Sequence, residues 1–206
     1  MTPGMLVLML LAVGVFCGLL QRVLDRMYLT DRQALLLIGI MLIGTFIPNL
    51  QIGTLAINIG GMIPAAICIY LMVKADTAKE RLRSIVGCMI TAAAILALSM
   101  LMPAEAEQMP FDPMWVYGVV GGIVAWLAGR SRRCAFICGT LGVMLADTFN
   151  GLVATLQGYN TTLVLGGGGI ADAAVISGVL AVLFCELLGE AIERLVGMKG
   201  STEQRS

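Results

Sequence analysis

Seven long apolar segments follow one another along the chain, and they limit its fold more than any other feature of the sequence. They cover approximately residues 4–21, 34–49, 55–73, 85–102, 114–129, 134–156 and 163–189. A helix needs roughly 17–25 apolar residues to cross the hydrocarbon core of a bilayer. Only 13% of the residues are charged, about half of the share that is usual in soluble domains. The sequence therefore predicts an all-α, polytopic membrane bundle of about seven transmembrane helices.

The basic residues predict how these spans are oriented. All thirteen Lys and Arg residues follow the first, third, fifth or seventh span, within residues 22–32, 74–83, 130–133 and 194–205. The connections at 48–54, 103–113 and 157–162 contain no Lys or Arg. Because cytoplasmic loops carry an excess of these residues, we expect the N-terminus outside and the C-terminus in the cytoplasm.

The spans leave no room for a soluble domain. Residues 1–197 are expected to form a single transmembrane domain, and residues 198–206 a cytoplasmic tail. The first apolar segment lacks the basic start and the cleavage site of a secretory signal peptide, so we expect it to remain as a span. The surroundings are then membrane lipid, and a formal net charge of zero argues against a nucleic-acid partner. The oligomeric state does not follow from the sequence.

Two aspartates, Asp147 and Asp172, lie deep inside the last two apolar segments. An ionisable residue at membrane depth costs at least ~2.5–3.5 kcal/mol and is by default a functional candidate. The chain has no histidine, which excludes a zinc site of the HExxH type and a serine–histidine dyad. Proton transfer within the membrane would therefore depend on these carboxylates.

Both aspartates are expected at a similar depth. Asp147 is fourteen residues beyond Arg133, or ~21 Å along a helix that rises 1.5 Å per residue, and Asp172 is ~21–27 Å above Glu186 and Glu190. Two adjacent carboxylates share one proton, because one pKa is raised. Such a pair can activate water and polarise a carbonyl, as in aspartic proteases, or bind a proton or cation reversibly. Both chemistries remain open at this point.

Irregular backbone is predicted at two places. Spans two and three are expected to form a helical hairpin that is broken by Pro48, Gly53, Gly60, Gly61 and Pro64. In the last span, Gly166 to Gly169 interrupt the helix, so we predict an extended stretch at 161–165 and a helix from about Ile170. With Asp147 and Asp172 as the catalytic pair, the predicted substrate- or ion-binding residues are Asn58, Asn150, Gly168 and Gly169. The structural alternatives are an interhelical hydrogen bond for Asn58 and an N-cap for Asp172.

Three patches, AINIGGMIPAAICIYL, GVMLADTFN and GGGGIADAAVISGVLAV, resemble a bacterial and archaeal family of multi-pass proteins known as domain of unknown function 1614. The resemblance covers most of residues 35–185. It implies a cell-membrane protein, in the inner or plasma membrane, and implies no activity.

A weaker similarity connects the chain to the presenilin and signal-peptide-peptidase group of intramembrane aspartyl proteases. Their two catalytic aspartates lie on adjacent spans, the second in a Gly-x-Gly-Asp motif, and they would match Asp147 and Asp172. Here Ala146 stands where that group has a tyrosine, and Ala171 and Ile170 separate Asp172 from the glycines.

Three functional hypotheses follow. The first is an intramembrane aspartyl-type peptidase, whose partner would be a transmembrane peptide substrate. The second is a proton- or cation-coupled transporter of a small solute, and the third is a non-catalytic scaffold or partner subunit. We expect no cofactor and no metal, because Cys134 and Cys138, one helical turn apart, have no third ligand near them and suit simple packing.

Overall fold

The computed structural model describes residues 3–19, 21–26, 29–44, 50–52, 55–74, 77–102, 113–129, 131–157, 163–166 and 173–203. These residues form seven helices of fourteen residues or more, one six-residue helix and three short strands. The helices are α1 (Pro3–Phe16), α2 (Gln21–Arg26), α3 (Asp31–Gly44), α4 (Ile59–Val73), α5 (Ala78–Leu101), α6 (Pro113–Gly129), α7 (Arg132–Leu156) and α8 (Ala173–Glu203). The strands are β1 (Leu50–Ile52), β2 (Leu55–Ile57) and β3 (Leu163–Leu165). The helical class predicted from the sequence is confirmed.

Each predicted span overlaps one of the seven longer helices. Within the described part of the chain, α5 and α7 are long and apolar enough to cross a membrane by length and composition. Shorter apolar helices lie at Leu6–Phe16, Ile59–Val73, Met114–Gly129 and Ala173–Leu188. The described part of the chain therefore contains two candidate membrane spans.

The outer surface of the helices is largely apolar. Large hydrophobic side chains are exposed on all seven of the longer helices, and Leu101 and Leu156 are 83% and 78% exposed. Soluble monomers seldom expose extensive apolar surface, and where it occurs it marks contact with a membrane or another protein.

The helices α5 to α8 pack closely through small residues. A Cβ added to Gly142 on α7 would lie 2.6 Å from the Thr91 side chain on α5, and one added to Gly122 on α6 would lie 2.9 Å from Leu180 on α8. Small residues at such positions let helix backbones approach closely. This four-helix group supports the segment that carries Asp147.

The N-terminal helices pack differently, through large aliphatic side chains. Leu8 of α1, Met41 of α3 and Leu71 of α4 belong to one buried cluster that extends to α7 and α8. An almost entirely apolar cavity of about 140 Å³ lies among α1, α3, α4, α7 and α8.

A three-stranded sheet takes the place of the break that we predicted within the helical hairpin of spans two and three. Strands β1 and β2 are antiparallel, with Leu50 opposite Ile57, and β2 pairs in parallel with β3, with Leu55 opposite Leu163. The predicted interruption is therefore present, but its form is a β-hairpin. The local sequence pattern did not reveal that β2 pairs in parallel with β3, a strand that is distant in the sequence.

Three of the predicted helix breakers lie inside α4, which corrects the expectation for them. Gly60, Gly61 and Pro64 occupy its first two turns and are buried. The close approach of the β3 end explains Gly61, because any Cβ there would collide with the carbonyl oxygen of Gly166. Pro48 and Gly53 lie outside the described residues.

The extended stretch before the last helix is confirmed as β3. Gly166 follows it with φ +97°, a left-handed conformation that favours glycine. Helix α8 is described from Ala173, and the predicted start near Ile170 lies outside the described residues.

Candidate functional site

Helix α7 carries Asp147 on the same side as Arg133 and Thr140. The three residues are seven positions apart, nearly two full turns of an α-helix, so they form one stripe along α7. Arg133 and Thr140 are buried, at 2% and 0% exposed, and Asp147 is half-buried. The stripe therefore places the carboxylate toward the interior of the bundle.

Helix α8 runs antiparallel to α7, and two contacts establish their register. Near the beginning of α7, Arg132 Nε donates to the Glu186 carboxylate of α8. Halfway along, a Cβ added to Gly139 would lie 2.9 Å from the Gly178 backbone. The two helices are thus in near contact where these glycines meet.

The register continues to the beginning of α8. Ala146, next to Asp147, belongs to the same buried cluster as Ala173, the first residue of α8. The start of α8 consequently lies at the depth of Asp147. The remaining predicted residues of this segment, Gly168, Gly169 and Asp172, lie outside the described residues.

A tyrosine that the sequence analysis did not select lies beside Asp147. Tyr117, near the start of α6, packs against the cluster that contains Ala146 and Ala173. Ala146 is the chain neighbour of Asp147, so the tyrosine lies close to that residue. The sequence signal was present but weak: Tyr117 is the fifth residue of α6, in the apolar segment just before the one that carries Asp147. Helix packing was needed to relate the two.

Asn150 lies on the same outer part of α7 but is directed to a different neighbour. Its Nδ2 donates to Ser99 Oγ on α5 at 3.5 Å, and the residue is exposed. Asn150 therefore lies between α5 and α7.

Asn58 has a structural role as the N-cap of α4. Its Oδ1 accepts a hydrogen bond from the Gly61 N–H at 2.9 Å, which satisfies one of the unpaired amides of the first helical turn. At the other end of α4, Arg133 Nη1 donates to the Lys74 carbonyl at 3.1 Å. Counting sixteen residues up α4 from Lys74 gives ~24 Å for Asn58, close to the ~21 Å of Asp147 above Arg133. By this count, Asn58 and Asp147 are expected at a similar height in the bundle.

The first turns of α5 and α7 contain a polar cluster, whose basic residues the sequence analysis used only to predict orientation. Arg133 Nη1 lies 3.9 Å from Glu80 Oε2, and Ser131 Oγ donates to Glu80 Oε1 at 3.2 Å. These contacts join the first turn of α7 to that of α5. A buried arginine adjacent to a carboxylate is mainly a structural element here, because leaving such a charge unpaired is costly.

Cys134 and Cys138, which are one helical turn apart, pack α7 against α5. Their Sγ atoms are 3.9 Å apart, and Ser84 Oγ donates to Cys134 Sγ at 3.3 Å. Cys138 Sγ lies opposite Gly87, where any Cβ would collide with it. Among the residues that the structure describes, no group of three or more Cys, Asp or Glu is arranged to hold a metal ion.

Comparison with known proteins identifies a family. The model of a family described as "Protein of unknown function (DUF1614)" matches residues 20–184, which are 165 of the 206 residues. The chain belongs to the DUF1614 family. No curated protein and no solved structure matches it.

The DUF1614 match begins just before α2 and ends within α8. It therefore includes the sheet, helices α5 to α7, the first twelve residues of α8 and every predicted site residue. The resemblance stated for residues 35–185 is confirmed at the family level, and the family description carries no activity.

Proposed function

We propose that the chain is a seven-span protein of the cell membrane that acts as an intramembrane aspartyl-type peptidase, with Asp147 and Asp172 as its catalytic pair. The apolar exterior of all seven longer helices supports the seven spans, because each helix has a surface suited to lipid. The alternation of basic and non-basic connections supports an outer N-terminus and a cytoplasmic C-terminus.

The observation that carries this proposal is the shared depth of Asp147 and the start of α8. Ala146 and Ala173 lie in one buried cluster, and in the sequence each is the immediate neighbour of one of the two aspartates. Adjacent carboxylates at this depth would hold one proton between them. One carboxylate would then accept a proton from the attacking water, while its protonated partner donates a hydrogen bond to the scissile carbonyl.

Tyr117 supports the peptidase hypothesis from a second direction. The similar proteases have a tyrosine next to the first aspartate, where this chain has Ala146. Here Tyr117 of α6 packs against the buried cluster that contains Ala146, the neighbour of Asp147. It would help to position the carboxylate in the substrate complex.

The sheet offers a way to hold a substrate. A peptide bond inside a helix is shielded, so a transmembrane substrate must become extended before hydrolysis. Strand β3 lies at one edge of the sheet order β1-β2-β3 and ends seven residues before Asp172. An extended segment can add to such an edge through main-chain hydrogen bonds.

A cleavage assay tests the proposal. The purified protein is incubated in detergent micelles with a panel of labelled single-span peptides, and products are identified by mass spectrometry. We expect cleavage by the wild type and its loss, by at least about 100-fold, in both Asp147→Asn and Asp172→Asn. The matched control is Asp25→Asn, which changes an exposed aspartate of α2 and should leave cleavage unchanged. Full cleavage by Asp147→Asn would overturn the proposal.

Two buried hydroxyls favour a proton- or cation-coupled transporter as the second candidate. Thr91 Oγ1 and Ser177 Oγ have no hydrogen-bond partner among the described residues, and both residues are 0–1% exposed. Thr91 lies opposite Gly142, which is five residues, or ~7.5 Å, below Asp147 on α7. Waters bound to these hydroxyls would extend a polar path from Asp147 toward the inner side.

Proton movement into proteoliposomes that contain a pH-sensitive dye distinguishes the transporter hypothesis from the peptidase hypothesis. A transporter would move protons across the vesicle membrane, would slow in Ser177→Ala, and would stop in Asp147→Asn. If the wild type shows neither cleavage nor proton movement, the scaffold hypothesis remains as the explanation of the carboxylate of Asp147.

A further inference from the structure

A groove of about 380 Å³ lies between the first half of α5 and the end of α6, next to the polar cluster. Basic side chains line one end, and small or apolar residues line the rest. None of these residues belongs to the candidate site described above.

The basic end of the groove consists of Lys79 and Arg83, one helical turn apart at the beginning of α5. Arg83 Nε donates to the Ala128 carbonyl at 3.1 Å, which holds the guanidinium over the end of α6. Glu80 is directed to Ser131 at the start of α7. Within the described ranges, neither Lys79 nor Arg83 forms an ion pair with a carboxylate, so two positive charges remain at the mouth.

The apolar part of the groove is shallow and runs along α5. Gly87 and Ala128 line it, and Val86 and Ile90, each about half exposed, stand beside them. Gly87 cannot carry a side chain, because a Cβ would collide with the thiol of Cys138. From Lys79 to Ile90 the helix rises ~16 Å, close to half of the ~30 Å hydrocarbon core.

We propose that this groove binds an anionic phospholipid from the leaflet on the side of the basic loops. Its phosphate lies between Lys79 and Arg83, and one acyl chain lies along Gly87 toward Ile90. The paired cations match the negative headgroup, and the length of the apolar part matches one leaflet. Basic pockets between transmembrane helices bind such headgroups. The inference rests on the membrane-embedded part of the proposed function and is independent of peptidase or transport activity.

Native mass spectrometry of the full chain provides the test. The protein is reconstituted with phosphatidylcholine and phosphatidylglycerol in equal amounts, and the lipids retained after delipidation are identified. We expect the wild type to retain phosphatidylglycerol in preference to phosphatidylcholine. The double variant Lys79→Gln/Arg83→Gln should lower its affinity for phosphatidylglycerol roughly 30-fold, since each basic residue near a membrane surface contributes about 5-fold.

A matched control variant removes two positive charges outside the groove. Lys74→Gln/Arg81→Gln changes two basic residues of the same loop and helix that do not line the groove, and it should retain phosphatidylglycerol. Equal losses in the two double variants would overturn the proposal, since general surface charge would then explain the binding. No preference for phosphatidylglycerol in the wild type would also overturn it.

A second variant tests the acyl-chain position without changing any charge. Ala128→Leu would fill the groove beside Gly87 and should reduce retention of both lipids at this site. Glycerol phosphate, which has the headgroup and no acyl chains, should fail to raise the melting temperature of the wild type. If glycerol phosphate stabilises the protein as well as phosphatidylglycerol does, the site binds free phosphate esters and the lipid assignment is wrong.

Discussion

In the half of the bundle formed by α5 to α8, backbones meet through glycine, whereas α1, α3 and α4 are separated by large aliphatic side chains. A Cβ added to Gly139 on α7 would lie 2.9 Å from the backbone of Gly178, but one added to Gly39 on α3 would have nothing within 4 Å. The cavity of about 140 Å³ lies on the aliphatic side. The residue that would do chemistry, Asp147, lies in the close-packed half.

This difference in packing indicates that the half formed by α5 to α8 holds the candidate site rigidly. In lipid, helix association depends on close van der Waals packing more than on the hydrophobic effect, so contacts between small residues stabilise strongly. A carboxylate pair needs fixed geometry to couple. We therefore expect α5 to α8 to act as the frame, and the N-terminal helices to tolerate repacking.

The largest expected effect comes from forcing apart the glycine contact. Gly139→Leu should lower the free energy of unfolding by about 3 kcal/mol or more, because the Gly178 backbone can yield only if α7 and α8 separate. The measurement is reversible unfolding of the purified protein in mixed detergent micelles. The matched control, Gly39→Leu, should be neutral or stabilising by up to ~1 kcal/mol, since leucine favours a helix over glycine. Equal destabilisation by the two variants would contradict the contrast between the halves.

Replacing an alanine by valine should change the free energy of unfolding by a smaller amount. The sign of the change should differ between the two halves of the bundle. Ala34, which lines the cavity, should accept Ala34→Val with a gain of about 1 kcal/mol, since an empty cavity costs ~24 cal/mol per Å³. Ala125 is 0% exposed in the close-packed half, and Ala125→Val should cost about 1–3 kcal/mol. The same unfolding assay compares them. A loss in Ala34→Val as large as in Ala125→Val would show that the N-terminal half is packed as tightly as the other.

The smallest effect concerns hydroxyls within the frame. Thr91→Val removes a buried hydroxyl that has no hydrogen-bond partner in the described part of the chain, so stability should rise by up to ~1 kcal/mol. Thr155 Oγ1 donates to the Gly151 carbonyl at 2.8 Å, and Thr155→Val should lose about 0.5–1 kcal/mol. Both are measured by unfolding in the same micelles. A clear loss of stability in Thr91→Val would instead indicate a bound water at that hydroxyl.

Much of the helical framework could be predicted because its signal is local. Runs of apolar residues place a helix within every predicted span, and the β-branched stretch before Gly166 correctly predicts β3. The form of the interruption before α4 could not be predicted in this way. Strands β1 and β2 depend on pairing with β3, and Gly60, Gly61 and Pro64 are tolerated in α4 because of what packs around its first turns.

The same distinction between local sequence signals and packing applies to the candidate site. The sequence by itself determined that Asp147 is an ionisable residue in an apolar segment and that it lies ~21 Å above Arg133, because both follow from hydropathy and helical rise. It did not reveal that Tyr117 lies beside that carboxylate, that Asn58 caps α4, or that Asn150 contacts Ser99 on α5. Only the tertiary structure decided these partners, because the face that a helix turns to its neighbour depends on packing between helices that are distant in the sequence.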